Sequence, residues 1–195
     1  MISSMKLILA SKSPARKKLM QQLKIPFECF ASDFHEDMNA HQTPSVLAKF
    51  LALGKAEAIA GKFPDALIFG ADTFVMNGRV KVGKPVSHDD ATAIVSNMSG
   101  KMIRVYTGVA AVRTDVHGHV VKKKVRSVLT KLWIKKMSPE EIRRLAFQKN
   151  VLEISGAFSI EGEGGKMVEK REGDYENVIG LPMFVVREML QKIGF

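Results

Sequence analysis

A mixed α/β fold, helices flanking a mixed sheet, is predicted by three features of the sequence. Short apolar runs of strand length, Lys6 to Ala10 and Ala66 to Met76, alternate with stretches in which apolar residues recur at helical spacing. Two turn signals, Asn77-Gly78 and the stretch Asp115 to Gly118, each join a pair of strand-like runs, so antiparallel neighbours are expected beside parallel ones and a strict βαβ wind is excluded. No internal repeat, low-complexity tract or Pro/Gly/Ser linker interrupts the 195 residues. Residues 1–195 are therefore expected to form a single domain, with room for two lobes sharing one sheet.

The elements follow in order. Lys6 to Ala10 is a buried strand, and Ser13 then offers a helix N-cap with Pro14 at the first helical position. That helix runs through Leu19, Met20 and Leu23 to about Ile25-Pro26, and Phe27 to Ala31 alternates like a strand, which makes Cys29 a core residue. From Pro44 to Phe63 the apolar positions Val46, Leu47, Phe50, Leu51, Leu53, Ala56 and Ile59 keep helical spacing. Ala66 to Met76 is the strongest strand, turning at Asn77-Gly78 into Arg79 to Val82. Asp89 to Met98 is helical, and Arg104 to Thr114 and Val120 to Lys135 are two long strands. In the second of these, Val121, Val125, Leu129 and Trp133 share one face, with cations largely between them. Ser138 and Glu141 form a capping box for the next helix, Glu161 to Gly165 is a glycine-rich loop, and Pro182 to Ile193 is a closing amphipathic helix.

Composition excludes several classes. Hydrophobic residues make up 46% and charged residues 26%, an ordinary globular balance. A single cysteine rules out an internal disulfide framework, and the absence of a Cys/His cluster argues against structural zinc. The longest apolar runs fall far short of the ~20 residues of a membrane span, and the first ten residues hold an apolar stretch too short for a signal peptide. A cytoplasmic protein without a membrane partner is expected. The formal net charge of +10 needs a reason: either a nucleic-acid-binding face, or cations converging on a small polyanion such as a nucleotide.

Four segments could carry chemistry. Ser11-Lys12-Ser13-Pro14-Ala15-Arg16-Lys17-Lys18 sets hydroxyls and amide N–H groups at a strand-to-helix junction, with Arg16, Lys17 and Lys18 at the helix end where the dipole disfavours cations. It reads as a phosphate cradle or as a solvated basic helix start, and it is not a Walker loop. Asp72 lies inside an apolar strand, where a carboxylate is costly to bury unless paired, hydrogen-bonded or metal-bound. Lys84, held between Gly83 and Pro85, and Lys55, on a helix of mostly small and apolar residues, could each be aimed at an anion. Asp33 to Asp37 is acidic and could help hold Mg²⁺, or be a polar loop. Gly156 to Gly162 and Asn177 to Pro182 are glycine-bounded segments suited to line a pocket or to make tight scaffold turns.

Taken in order, these segments resemble the Maf family, the septum-formation-inhibitor-like nucleoside triphosphate pyrophosphatases. The matching blocks are Leu7 to Arg16, Asp33 to Glu36, the Ala71-Asp72-Thr73 and Gly83-Lys84-Pro85 pair, Ser99-Gly100-Lys101 with Val105 to Val109, and Gly156 to Pro182. The resemblance implies a long twisted mixed sheet with two lobes around a cleft, similar to inosine triphosphatases. It implies hydrolysis of nucleoside triphosphates to monophosphate and pyrophosphate with a divalent metal, Mg²⁺ or Mn²⁺, and members that are often dimeric, so a homodimer is one expectation. Residue by residue, Asp72 matches the general base, Ser11, Ser13, Arg16, Lys55 and Lys84 match the substrate-binding positions, and Glu36 matches the acidic residue near the metal.

The signature for the base is mixed. Ala15 stands where pyrimidine-type members carry Arg and 7-methyl-GTP-type members carry Trp. Thr73 matches the pyrimidine type, whereas Glu161 replaces its Gln and matches the other. Ile103 and Ile154 also replace residues usual in the family, a His and a Lys. The competing reading is a non-catalytic nucleotide- or nucleic-acid-binding regulator on the same fold, for which Lys122-Lys123-Lys124 and Arg126 speak. A solvated strand face accounts for those four cations equally simply, and a small nucleotide is the expected partner rather than nucleic acid.

Overall fold

The computed structural model describes residues 5–35, 43–157 and 159–193. Seven strands form one mixed sheet among the described residues: β1 (Lys6–Ala10), β2 (Glu28–Cys29), β3 (Ala66–Asn77), β4 (Val80–Val82), β5 (Met102–Thr114), β6 (Val120–Ile134) and β7 (Val168–Glu172). Their order is β2-β1-β3-β5-β6-β7, with β4 paired to β3. β1 is parallel to both β2 and β3, while β4 and β7 run antiparallel to β3 and β6. The helices are α1 (Pro14–Met20), α2 (Pro44–Ala60), α3 (His88–Met98), α4 (Pro139–Ala146), α5 (Tyr175–Ile179) and α6 (Met183–Ile193). The expected mixed fold is borne out, and none of the described helices is long and apolar enough to cross a membrane.

The chain forms two compact units: one from the residues up to Asp72, Thr107–Val128 and the residues from Gly180 on, the other from Thr73–Tyr106 and Leu129–Ile179. The first unit is built on the parallel strands. One face of β1, β3 and β5 carries Ile8, Ala10, Ala66, Ile68, Ala110 and Val112, packed with Ala52, Ala56, Ile59 and Ala60 of α2. Alanines at 48, 52, 56 and 60 recur at the helical i, i+4 interval and give α2 a narrow face, and all four are buried. Two strand glycines exploit it. A Cβ on Gly70 would lie 2.2 Å from the Ala52 carbonyl oxygen, and one on Gly108 would lie 1.9 Å from that of Ala48. No side chain fits in either place, so α2 rests directly on the strand backbones.

The second unit is packed with larger residues. Val95, Met98, Ile103, Val105, Leu132, Ile134, Met137, Leu145, Val151 and Met167 form its core, with α3 packed on α4. The capping box of α4 is present as read from the sequence: Ser138 Oγ accepts from Glu141 N and Glu141 Oε2 accepts from Ser138 N.

Two expectations are corrected. β2 has only two residues and lies at the sheet edge, so Cys29 is exposed rather than core. On β6, Val121, Val125, Leu129 and Trp133 share one parity, and the buried residues Thr130, Leu132 and Ile134 are of the other, with Val121 58% exposed. The stretch from 151 to 179 holds more structure than two loops: three 3-10 turns, β7 and α5.

Candidate active site

The strand register brings two predicted residues to the end of the parallel β1–β3 pairing. Ala10 of β1 pairs with Gly70 of β3, so Ser11 leaves the sheet one residue beyond that pair and Asp72 lies two beyond. Ser11 follows the carboxyl end of β1, and Asp72 stands within β3 just past its parallel pairing with β1, before the strand goes on to pair antiparallel with β4. The end of a parallel ladder is where α/β sheets present ligand-binding groups. Gly70 faces α2, and Asp72, two residues on, has the same parity. On α2, Lys55 lies between the turns that touch Gly70, Ala52 and Ala56. Its Nζ donates to Asp72 Oδ1 at 2.5 Å. The side chains of the two are only 16% and 9% exposed. Each charge is thus the condition for burying the other, since an ion left alone there would carry its full desolvation cost.

Next to this pair, the segment after β1 is tied by its own side chains. Ser11 Oγ accepts from Ser13 N at 3.1 Å and lies 3.5 Å from Arg16 Nη1. Ser13 is the N-cap of α1, its Oγ accepting from Arg16 N at 3.4 Å. Arg16 Nε donates to the carbonyl oxygen of Gly180, 164 residues away, at 2.9 Å. α1 has only seven residues. Any anion affinity here therefore rests on the Ser11 and Arg16 side chains rather than on the helix dipole.

The remaining predicted residues are placed as follows. Ala15 is half-buried in the first turn of α1. Thr73 is half-buried on β3, at the start of the second unit's share of that strand. Lys84 is exposed between β4 and α3 in the second unit. Glu161, also exposed in that unit, has its backbone N–H donating to Ser159 Oγ at 3.3 Å. Glu36 lies outside the described residues. Of the acidic stretch, Asp33 forms an exposed ion pair with Lys62 at 3.8 Å, which contributes little.

The basic strand is occupied by its own chain. Lys123 pairs with Glu57 at 3.1 Å, Arg126 with Glu188 at 2.5 Å, and Lys122 Nζ donates to the Lys192 carbonyl at 2.8 Å. In the second unit, a cavity of about 240 Å³ is lined by Ile160, from the Gly156 to Gly162 segment, and by Gly165, Val168, Lys170, Arg171 and Tyr175, and by none of the residues matched to catalysis, substrate or metal.

Sequence reasoning missed the partners. Gly180 lies in a segment that the sequence offers as pocket lining or scaffold turn, and its carbonyl holds Arg16. Asn177, in the same motif, is fully buried and joins its own unit together: Nδ2 donates to Val105 O at 3.2 Å and Thr130 Oγ1 at 2.9 Å. The i, i+4 alanines of α2 with Gly70 and Gly108 were the one available signal that a helix lies flush on the Asp72 strand.

A family model described as Maf-like protein matches residues 6–193. The chain belongs to the Maf-like family. Relatives of this Maf-like chain include three proteins named dTTP/UTP pyrophosphatase. That of Alkaliphilus metalliredigens (strain QYMF) is 38% identical over 188 residues, 96% of this chain and 95% of the relative. Those of Moorella thermoacetica (strain ATCC 39073 / JCM 9320) and Bacillus cereus (strain G9842) are each 38% identical, over 190 and 187 residues, covering 97% and 95% of this chain and 95% of either relative. Among solved structures, the Ham1 protein of Staphylococcus aureus superposes with a TM-score of 0.52 at 10% identity, over 96% of this chain and 98% of that one, a likeness of fold. The family resemblance read from the motifs is borne out.

Proposed function

We propose that this Maf-like protein hydrolyses nucleoside triphosphates, with dTTP and UTP as first candidates, to the monophosphate and pyrophosphate. The observation that carries the reading is the nearly dry Lys55–Asp72 pair just past the end of the parallel β1–β3 pairing, beside Ser11 and Arg16. Asp72 accepts a proton from the attacking water as its oxygen bonds to the α-phosphorus. The bond from that phosphorus to the bridging oxygen breaks, and pyrophosphate leaves with the electron pair. Lys55 orients the carboxylate and adds positive charge where the phosphates lie. Ser11 and Arg16 bind phosphate oxygens, a task of positioning and charge neutralisation. Ser13, as N-cap, shapes the segment that presents them. The dTTP/UTP names of the relatives and the presence of Thr73 support a pyrimidine base. Lys84 in phosphate binding, and Ala15, Thr73 and Glu161 in choice of base, carry roles from the family resemblance alone.

A divalent cation belongs to the same reading. Among the described residues no three His, Cys, Asp or Glu side chains gather into a ligand set. The carboxylate of Asp72 is nevertheless the hard oxygen donor that Mg²⁺ takes, and this ion needs only one or two carboxylates when substrate phosphates complete its shell. The residues present therefore fit an ion that arrives with the nucleotide, held by Asp72 and, from the resemblance, Glu36. When bound, such an ion neutralises phosphate charge and polarises the phosphorus under attack. The same reading places the enzyme in the cytoplasm with its substrates, and a dimer is tested by sedimentation.

The test is pyrophosphate release from dTTP, UTP, the other common triphosphates and 7-methyl-GTP with Mg²⁺ or Mn²⁺. Turnover is expected, greatest for the pyrimidines, and Asp72→Asn should lower kcat by about 10²–10⁴-fold. Undiminished turnover in that variant would remove Asp72 from the base role. No turnover of any triphosphate would overturn the function.

A further inference from the structure

The geometry points to Gly180 as the positioning residue for Arg16, its carbonyl oxygen fixing the guanidinium that meets the substrate; this rests on the function proposed above. Arg16 has five N–H donors in a rigid plane. One of them, at Nε, is spent on the Gly180 carbonyl at 2.9 Å. Nη1 lies 3.5 Å from Ser11 Oγ. Two points of attachment on one planar group stop it rotating about its last bonds, so its donors keep one direction. Ser11 Oγ, approached by Ser13 N and by Arg16 Nη1, has its own O–H proton left to give, which suits an anionic oxygen.

The acceptor is built to stay in place. Gly180 has φ +122°, a conformation that L side chains rarely adopt. Pro182 restricts the residue before it, Leu181, which is fully buried. The Pro182 carbonyl then starts α6 by accepting from Val185 N at 3.0 Å. The Gly-Leu-Pro segment therefore holds a carbonyl oxygen rather than lining a pocket. It also explains why the residue is arginine: a lysine has a point charge and no Nε to anchor, so it would reach the phosphates without a fixed direction.

Steady-state kinetics on the full chain with dTTP or UTP test this. Gly180→Ala cannot keep φ +122° without strain, which moves the carbonyl. KM should rise about tenfold, the loss of one oriented charge-assisted contact, while kcat stays within about twofold. Arg16→Ala should raise KM by at least as much, and Arg16→Lys should not restore it. The double variant Gly180→Ala/Arg16→Ala should match Arg16→Ala alone, because Gly180 acts only through Arg16. Losses that multiply in the double variant, or an unchanged KM in Gly180→Ala, overturn the positioning role while leaving the function standing. An unchanged KM in Arg16→Ala overturns the positioning role together with Arg16's contact to the substrate, while the turnover that gives the KM leaves the function standing. A measurement on the unmutated protein covers the case in which Gly180→Ala fails to fold. The Arg16 Nε–H signal, assigned by its disappearance in Arg16→Lys, should exchange with solvent markedly more slowly than those of exposed arginines. Exchange at the exposed rate overturns the proposal.

Discussion

The two compact units fill their interiors in opposite ways. The first brings a helix of small residues down onto glycine-bearing strands, and backbone meets backbone at Gly70 and Gly108. The second keeps its layers apart with Met98, Ile103, Leu132 and Met167. Side chains of that size can relax around a change; a carbonyl oxygen 1.9 Å from where a Cβ would stand cannot. The tight packing is found where precision is wanted. It sets Lys55 within 2.5 Å of Asp72 with almost no water around them, whereas no buried ion pair is found among the described residues of the bulky unit. Close approach of backbones serves here as the means of placing a charge.

The sharpest way to break this contrast is Lys55→Met. It leaves the Asp72 carboxylate buried without its partner, at a cost of about 3–5 kcal/mol, and it should abolish turnover. Lys55→Met/Asp72→Leu should recover most of that stability in urea denaturation without recovering activity; a double variant as unstable as the single would mean that the pair is not what its burial suggests. Leu132→Ala in the second unit should cost about 2–5 kcal/mol, yet leave KM for the triphosphate close to that of the parent. A large KM change in that variant would erase the division of labour. Gly108→Ala should cost about 1–3 kcal/mol by overpacking and, by lifting α2, should also depress kcat. Thermal melts combined with initial rates separate those two losses.

The smallest effect concerns pH. Lys135, bonded to Glu141, and the Ser138 N–H hold the Glu141 carboxyl below its ordinary range. A carboxylate with a depressed folded pKa adds stability that is complete above the unfolded value and is lost as pH falls through the folded one. Glu141→Gln should therefore reduce the acid-side slope of the urea midpoint and leave the neutral-to-alkaline side parallel to the parent. An unchanged slope would show that the capping box contributes nothing through charge.

Much of the architecture was legible in the sequence because its signals are local. The Ser13-Pro14 start of α1, the Asn77-Gly78 turn and the Ser138–Glu141 box depend on neighbours within four residues, and each recurs in the structure. Asp72 was legible because a carboxylate in an apolar strand is costly. Lys55 was open between snorkelling and facing inward, and only the contact of α2 with Gly70 decides it. Cys29 is exposed against expectation for the same reason, and on β6 the buried residues are of the other parity from Val121 to Trp133. Alternation tells which residues share a face but not whether a layer covers that face or how long the strand runs. β7, with sequence Val-Glu-Lys-Arg-Glu, has no apolar pattern and is a strand only because β6 offers it an edge. The Gly180 carbonyl carried no signal at all, since an oxygen common to every residue becomes functional only by where it points.

The hydrogen bond from Arg16 to Gly180 also orders events in time. A chain emerging from the ribosome carries the Ser11–Arg16 segment before it carries Gly180, since synthesis runs from the N-terminal side. Until residue 180 is made, however, Arg16 has no acceptor across those 164 positions. A chain that has not yet reached residue 180 therefore lacks the arginine geometry proposed here.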